Sequence, residues 1–140
     1  MRLADVMTPN PRCVELSDTL QDVAKIMRDE DTGAVPVVED GRVVGMVTDR
    51  DIVIRAVADG DYEATVDDIV TDDVVTATAD MSTGDAAELM SEHQIRRLPI
   101  VDEDENIIGI VSIGDLAVKE GRDSRMGETL ENISEGVKRH

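Results

Sequence analysis

The feature that most constrains the fold of this chain is an internal repeat of about sixty residues. Shifting the 140-residue sequence by 63 positions aligns Thr8 with Thr71, Met27 with Met90 and Pro36 with Pro99. After one additional residue in the second half, Asp51 aligns with Asp115. Self-similarity at a fixed spacing indicates one structural unit used twice. We expect a first repeat at residues 1–58, a linker at 59–63 and a second repeat at 64–120.

Each repeat predicts the element order β-α-β-β-α, which places the fold in the α+β class. In the first repeat Cys13-Val14 begins as a strand, and Asp18 opens a helix with a capping box. The apolar runs at 34–38 and 43–47 flank Asp40-Gly41, a dipeptide typical of hairpin turns. The runs are apolar on both faces, so we expect them to be covered on both sides.

The second repeat predicts the same elements from its own residues. Val74-Val75 is the expected first strand, and Ser82 is the expected cap of the following helix. The runs at 98–101 and 107–111 form the second hairpin. We therefore expect two hairpins, each preceded and followed by a helix.

Composition excludes several classes of partner. The chain has 32 acidic and 14 basic residues, a net charge of −18, and Tyr62 is its only aromatic residue. Such a charge repels nucleic acid and anionic membranes, and a single tyrosine provides no aromatic platform on which successive bases could stack. We expect no nucleic-acid partner and no membrane partner, whereas a small nucleotide needs only a local cationic group.

Cysteine and hydropathy patterns favour a cytoplasmic protein. Cys13 is the only cysteine, so no internal disulfide forms. No segment resembles a signal peptide, and no apolar run reaches the length of a membrane span. Cys13, His93 and His140 lack the paired spacing of a metal site, so we expect no metal.

Short sequence motifs in both repeats resemble those of the CBS (cystathionine-β-synthase-type) domain family. The first repeat has Gly-Ala-Val-Pro-Val-Val at 33–38 and Gly-Met-Val-Thr-Asp-Arg-Asp-Ile at 45–52. The second has Arg-Arg-Leu-Pro-Ile-Val at 96–101 and Gly-Ile-Val-Ser-Ile-Gly-Asp-Leu at 109–116. Each motif alone is weak evidence for the family, but the order of the motifs, repeated over residues 3–118, is specific to it.

The resemblance implies a Bateman module, in which the two repeats pack through their sheets with pseudo-twofold symmetry. It implies clefts between the repeats that bind AMP, ATP or another adenosyl compound, with no required cofactor and no chemistry of its own. It further implies a homodimer and a regulated partner protein. We expect a non-catalytic sensor that signals by a shift in the arrangement of its repeats or dimer.

Two hydroxyl–carboxylate pairs are the first candidate ligand residues: Thr48 with Asp51, and Ser112 with Asp115. Either pair can be a simple capping box that satisfies backbone N–H groups at a helix start. By resemblance to the family, the hydroxyl contacts a phosphate near the helix N-terminus and the Asp accepts hydrogen bonds from ribose.

Basic residues are the second set of candidates. The family often places them just before the first hairpin strand, where the second repeat has Arg96 and Arg97. A guanidinium can bind phosphate in a bidentate manner. The alternative is a surface pair that balances the acidic exterior. The first repeat has Gly33-Ala34 at these positions, so we expect two unequal clefts, with Arg50 available to the poorer one.

Four further residues lie where the family contacts base and ribose, although ordinary packing at a strand edge explains them as well: Thr8, Cys13, Thr71 and Thr76. Because no candidate ligand residue is aromatic, base recognition would depend on backbone groups and aliphatic contacts.

Two other functions remain open. A protein–protein interaction module with vestigial ligand clefts is compatible with the unequal motifs. An enzyme is disfavoured, because no acid–base pair, metal cluster or activated nucleophile is evident. After Gly121, the spacing of Met126, Leu130, Ile133 and Val137 predicts a short amphipathic helix that docks on the module or contacts a dimer partner.

Overall fold

The computed structural model describes residues 1–71 and 73–120, with side chains described up to residue 117. The amphipathic helix predicted from Met126 onward lies outside these residues. The predicted α+β class is confirmed. Elements follow in the order α1 (Leu3–Val6), β1 (Thr8–Pro9), α2 (Leu20–Glu30), β2 (Ala34–Glu39), β3 (Arg42–Thr48), α3 (Asp49–Ile52), a π-helix (Val53–Val57), α4 (Val66–Ile69), β4 (Ala77–Thr78), α5 (Thr83–His93), β5 (Arg97–Val101), β6 (Ile107–Ser112) and α6 (Ile113–Glu120).

The chain folds as two compact units, each built around one of the two predicted hairpins. The first-hairpin unit comprises Pro11–Val74 and Asp104–Ile107. Within the described chain, the second-hairpin unit comprises Met1–Asn10, Val75–Glu103 and residues 108–120. The units therefore differ from consecutive repeats, because the start of the chain belongs with the second hairpin.

The second-hairpin unit contains a four-stranded sheet in the order β1-β6-β5-β4. Strand β1 is antiparallel to β6, with Thr8 opposite Ile110, and β4 is parallel to β5, with Ala77 opposite Ile100. Its aliphatic core is formed by Leu3, Val6, Ala77, Ala86, Ala87, Met90, Leu98, Ile100, Val111 and Leu116.

The first-hairpin unit repeats this arrangement with shorter flanking pairs. Strands β2 and β3 are antiparallel, and single residues pair on either side: Val14 with Val37 in parallel, and Thr71 with Met46 in antiparallel orientation. Its core is formed by Val14, Leu20, Val23, Met27, Val35, Val37, Val47, Ala56, Ala64, Val66 and Ile69.

The hairpin turn predicted at Asp40-Gly41 is confirmed. Both residues have a positive φ, 52° at Asp40 and 83° at Gly41. This conformation is the one that two-residue hairpin turns require, and glycine and aspartate tolerate it better than most residues do.

Two details of the sequence prediction are wrong. Thr19 caps α2 in place of Asp18: the Thr19 hydroxyl accepts a hydrogen bond from Asp22 N, while the Asp18 carboxylate accepts one from Glu15 N. The second repeat's first strand is Ala77–Thr78 and not Val74-Val75. The predicted cap at Ser82 is confirmed, because its hydroxyl accepts from Asp85 N at 3.1 Å.

The first residues of each repeat complete the sheet of the other hairpin. Thr8, from the first repeat, pairs with β6, whereas Thr71, from the second repeat, pairs with β3. The backbone approach is close on both sides. A methyl group at Gly45 would lie 2.7 Å from the Thr71 carbonyl oxygen, and one at Gly109 would lie 3.2 Å from that of Thr8.

We therefore expect Gly45→Ala to lower the free energy of unfolding by about 1–3 kcal/mol, because the backbone beside it must shift. Gly84→Ala is the matched control: the position lies in the first turn of α5, with no atom within 4 Å of the added methyl group. There, alanine should be neutral or stabilising by up to about 1 kcal/mol. Urea unfolding of both variants checks this, and equal stability of the two would contradict the packing assignment.

Candidate functional site

Reciprocal hydrogen bonds join Thr48 and Asp51 where the first hairpin leads into α3. Asp51 N donates to Thr48 Oγ1 at 3.1 Å, and Thr48 N donates to Asp51 Oδ2 at 3.1 Å. Both side chains are half-buried. The capping box that the spacing predicts is thus confirmed, and it fixes the position of hydroxyl and carboxylate together.

The same arrangement recurs at Ser112 and Asp115, where the second hairpin leads into α6. Asp115 N donates to Ser112 Oγ at 3.0 Å, and Ser112 N donates to Asp115 Oδ2 at 3.1 Å. In both repeats the strand ends at the hydroxyl residue and the helix begins at the next residue. The duplicated sequence therefore produces two equivalent hydroxyl–carboxylate helix starts.

Arg96 and Arg97 lie beside the second of these helix starts. Ile113 N, in the first turn of α6, donates to the Arg96 carbonyl oxygen at 2.9 Å. Arg96 is exposed and Arg97 is half-buried. Among the described residues, neither guanidinium is engaged in an ion pair or hydrogen bond. The Arg96 backbone therefore adjoins the first turn of α6, one residue after Ser112.

A glycine and a carboxylate stand at the equivalent place in the first-hairpin unit. Asp49 N donates to the Gly33 carbonyl oxygen at 2.9 Å, so Gly33 stands where the second unit has Arg96. Asp49 Oδ2 lies 3.1 Å from where a Gly33 β-carbon would be, and Asp49 Oδ1 accepts from Arg50 N at 2.8 Å. Comparing Asp49 with Ile113, its counterpart in the second repeat, would have revealed this carboxylate from sequence.

Arg55, which the sequence analysis missed, is the guanidinium nearest Asp51 in the described structure. Its Nε lies 3.9 Å from Asp51 Oδ1, and its Nη1 donates to the Ile69 carbonyl oxygen at 3.5 Å. Arg50, like Arg55, is exposed. The four-residue spacing between Asp51 and Arg55 within one helical segment was the available signal.

The remaining candidates are divided between the two units. Thr8, exposed in β1, and Thr76, half-buried just before β4, belong to the unit that contains Ser112 and Asp115. Thr71, which is exposed, and Cys13 belong to the unit that contains Thr48, Arg50 and Asp51. Because the first residues of each repeat pair with the hairpin of the other repeat, Thr8 lies in the same unit as the second helix start. For the same reason, Thr71 lies in the same unit as the first helix start.

The Cys13 thiol is half-buried and donates to the Pro11 carbonyl oxygen at 3.3 Å. Burial raises the pKa of this thiol, because the thiolate loses hydration. Over residues 1–71 and 73–120, no cluster of three or more His, Cys, Asp or Glu side chains is arranged to hold a metal ion. No helix in the described part of the chain combines the length and apolar character needed to cross a bilayer.

The chain belongs to the CBS domain family. The family model for the CBS domain matches it twice, at residues 3–57 and 66–119. The CBS family membership predicted from the short sequence motifs is therefore confirmed.

Individual relatives agree with this assignment. The CBS domain-containing protein YhcV of Bacillus subtilis is 44 % identical over 131 residues, which cover 93 % of each chain. A crystal structure of CBSX2 in complex with AMP has a TM-score of 0.74 and 28 % identity, covering 84 % of this chain and 93 % of that one. The CBS domain pair of protein MJ0100, in complex with 5′-methylthioadenosine and S-adenosyl-L-methionine, has a TM-score of 0.79 and 28 % identity, covering 86 % of this chain and 96 % of that one.

Cys13 should react more slowly with iodoacetamide than the cysteine of an unstructured peptide, because its raised pKa leaves less thiolate at a given pH. The rate should continue to rise at pH values where the peptide has reached its plateau. Mass spectrometry measures the alkylation rates of the protein and of the peptide at about pH 7–10, a range that includes ordinary thiol pKa values. An apparent pKa of Cys13 at or below that of the peptide cysteine would contradict the effect of burial.

Proposed function

We propose that this chain is a non-catalytic regulatory module that binds an adenine nucleotide or another adenosyl compound. The observation that carries the proposal is the pair of equivalent hydroxyl–carboxylate helix starts, Thr48–Asp51 and Ser112–Asp115, in a chain of the CBS domain family. Structural neighbours with AMP, 5′-methylthioadenosine and S-adenosylmethionine support the adenosyl class of ligand.

Chemistry at the helix starts fits the two polar parts of a nucleotide. One oxygen of each Asp accepts from the backbone within the capping box, and carboxylate oxygens have further acceptor capacity for ribose hydroxyls. Phosphate needs a local cation because the net charge of −18 repels anions. Arg96 and Arg97 are proposed to supply that charge, because the Arg96 backbone adjoins the residue that follows Ser112.

Ligand occupancy is proposed to be signalled by a shift in the arrangement of the repeats or of a homodimer. Such a shift needs different affinities of the ligand for two arrangements. The regulated protein is proposed to read that difference.

A protein-interaction module is the second candidate, and one observation favours it. Val53 and Ile54 are each 53 % exposed and Val57 is 46 % exposed, along the helical segment that follows Asp51. Exposed aliphatic residues grouped on one segment are typical of contact surfaces. The homodimer predicted from the family resemblance would have a suitable surface here.

Static light scattering of Ile54→Asp, compared with the unchanged chain, distinguishes a contact between two copies of the chain from a surface that binds another protein.

Removing the two guanidinium groups tests the proposed phosphate partners. We expect Arg96→Gln with Arg97→Gln to weaken AMP binding by about 1.5–3 kcal/mol, roughly tenfold to a hundredfold, while adenosine binding changes little. The double variant Arg12→Gln with Arg28→Gln is the charge-matched control, since both residues are exposed and lie in the first-hairpin unit. Isothermal titration calorimetry measures all three proteins, and equal losses for AMP and adenosine would contradict the phosphate assignment.

Thermal denaturation with AMP, ADP, ATP, NAD and S-adenosylmethionine tests the ligand class itself. A ligand at a hundred times its Kd adds about 2.7 kcal/mol of stability, which should raise the Tm by at least about 4 °C. The absence of a shift with every compound, at low and at high salt, would overturn the sensor proposal in favour of the interaction module.

A further inference from the structure

The two helix starts have the same backbone geometry but different charge. In each, the first helical residue donates its N–H to the residue just before the hairpin strand: Asp49 to Gly33, and Ile113 to Arg96, both at 2.9 Å. Two exchanges therefore separate the sites. A carboxylate stands in place of an isoleucine, and a glycine stands in place of an arginine.

The Asp49 carboxylate is held in place over Gly33. One oxygen accepts from Arg50 N at 2.8 Å, and the other lies 3.1 Å from the point where a Gly33 β-carbon would be. The carboxylate therefore occupies the space beside Thr48 and already uses a first-turn N–H that an anion would need. Glycine leaves room for it, since any side chain at that position would press against the carboxylate.

A phosphate at this helix start would meet a like charge at close range. Two unit charges about 4 Å apart interact strongly enough to change an affinity by about fivefold in bulk water, and by about a thousandfold at the effective dielectric of a protein surface. The nearby guanidinium groups compensate only in part. Arg55 is engaged with Asp51 and the Ile69 carbonyl oxygen, and Arg50 is exposed.

From this contrast we propose that Asp49 is a specificity-determining residue that bars phosphate from the Thr48–Asp51 site. On this assignment, which rests on the proposed function, AMP-like ligands bind at Ser112–Asp115 beside Arg96 and Arg97. The Thr48–Asp51 site takes an adenosyl compound whose 5′ substituent is neutral or cationic, such as a thioether or a sulfonium. One chain then holds two chemically different ligands.

Calorimetric titration with AMP, 5′-methylthioadenosine and S-adenosylmethionine tests the assignment. The unchanged chain should bind one AMP. Asp49→Asn, in which the amide oxygen can still accept from Arg50 N, should bind a second AMP at least about tenfold more tightly than the unchanged chain does at that site. It should bind S-adenosylmethionine less tightly and 5′-methylthioadenosine about equally.

Two further variants make the test specific. Asp49→Ile reproduces the residue of the second helix start and should also admit a second AMP, without depending on how an asparagine hydrogen-bonds. Asp61→Asn removes the same charge from the exposed linker and should behave like the unchanged chain. The gain from Asp49→Asn should shrink in molar KCl, because salt screens an electrostatic barrier.

Each alternative outcome has a distinct meaning. Two equal AMP sites in the unchanged chain, or one AMP site in all variants, would overturn the role of Asp49 and leave the sensor proposal standing. If no adenosyl compound binds to any of the proteins, the proposed function fails and the assignment of Asp49 fails with it.

Discussion

The abrupt passage from strand to helix at the end of each hairpin is the constraint on which the candidate sites depend. Strand β3 ends at Thr48 and α3 begins at the next residue, as β6 ends at Ser112 and α6 begins at the next. Without a loop, the first N–H groups of the helix need partners from the strand's last residue and from the helix itself. The paired hydrogen bonds of the hydroxyl and the carboxylate supply them, and in doing so fix both side chains at one place.

Much of this arrangement could be predicted because its causes are local in sequence. Capping boxes, the turn at Asp40-Gly41 and the cap at Ser82 each depend on residues within a few positions of one another. The pairing of the first residues of each repeat with the hairpin of the other repeat could not be predicted in the same way. The pattern of apolar and polar residues around Thr8 and Thr71 does not specify which hairpin each residue pairs with, because both hairpins come from the same duplicated sequence.

The errors near Asp18 and Val74 have a related origin. Asp18 and Thr19 can both cap a helix, and the Asp18 carboxylate is used by Glu15 N, which leaves the Thr19 hydroxyl to the helix. Val75 packs against the core of the second-hairpin unit, yet the strand pairing is made by Ala77 and Thr78. Apolar character predicts burial at these positions but cannot specify which residues pair with β5.

Charge explains why two sites from one duplicated sequence need not be equal. In a chain with a net charge of −18, any anion site requires local cations, and only the second helix start has Arg96 and Arg97 beside it. The first has Asp49 in the corresponding space. Backbone geometry is the same at both helix starts, whereas the side chains that we propose select a ligand differ. One fold can present sites of different specificity in this way.

The most direct test of this account is a crystal structure of the chain grown with AMP. The account predicts density for the nucleotide with its ribose against Asp115 and its phosphate near Ser112 and Arg97. Nucleotide bound away from both hydroxyl–carboxylate helix starts, or no bound nucleotide at a saturating concentration, would contradict it.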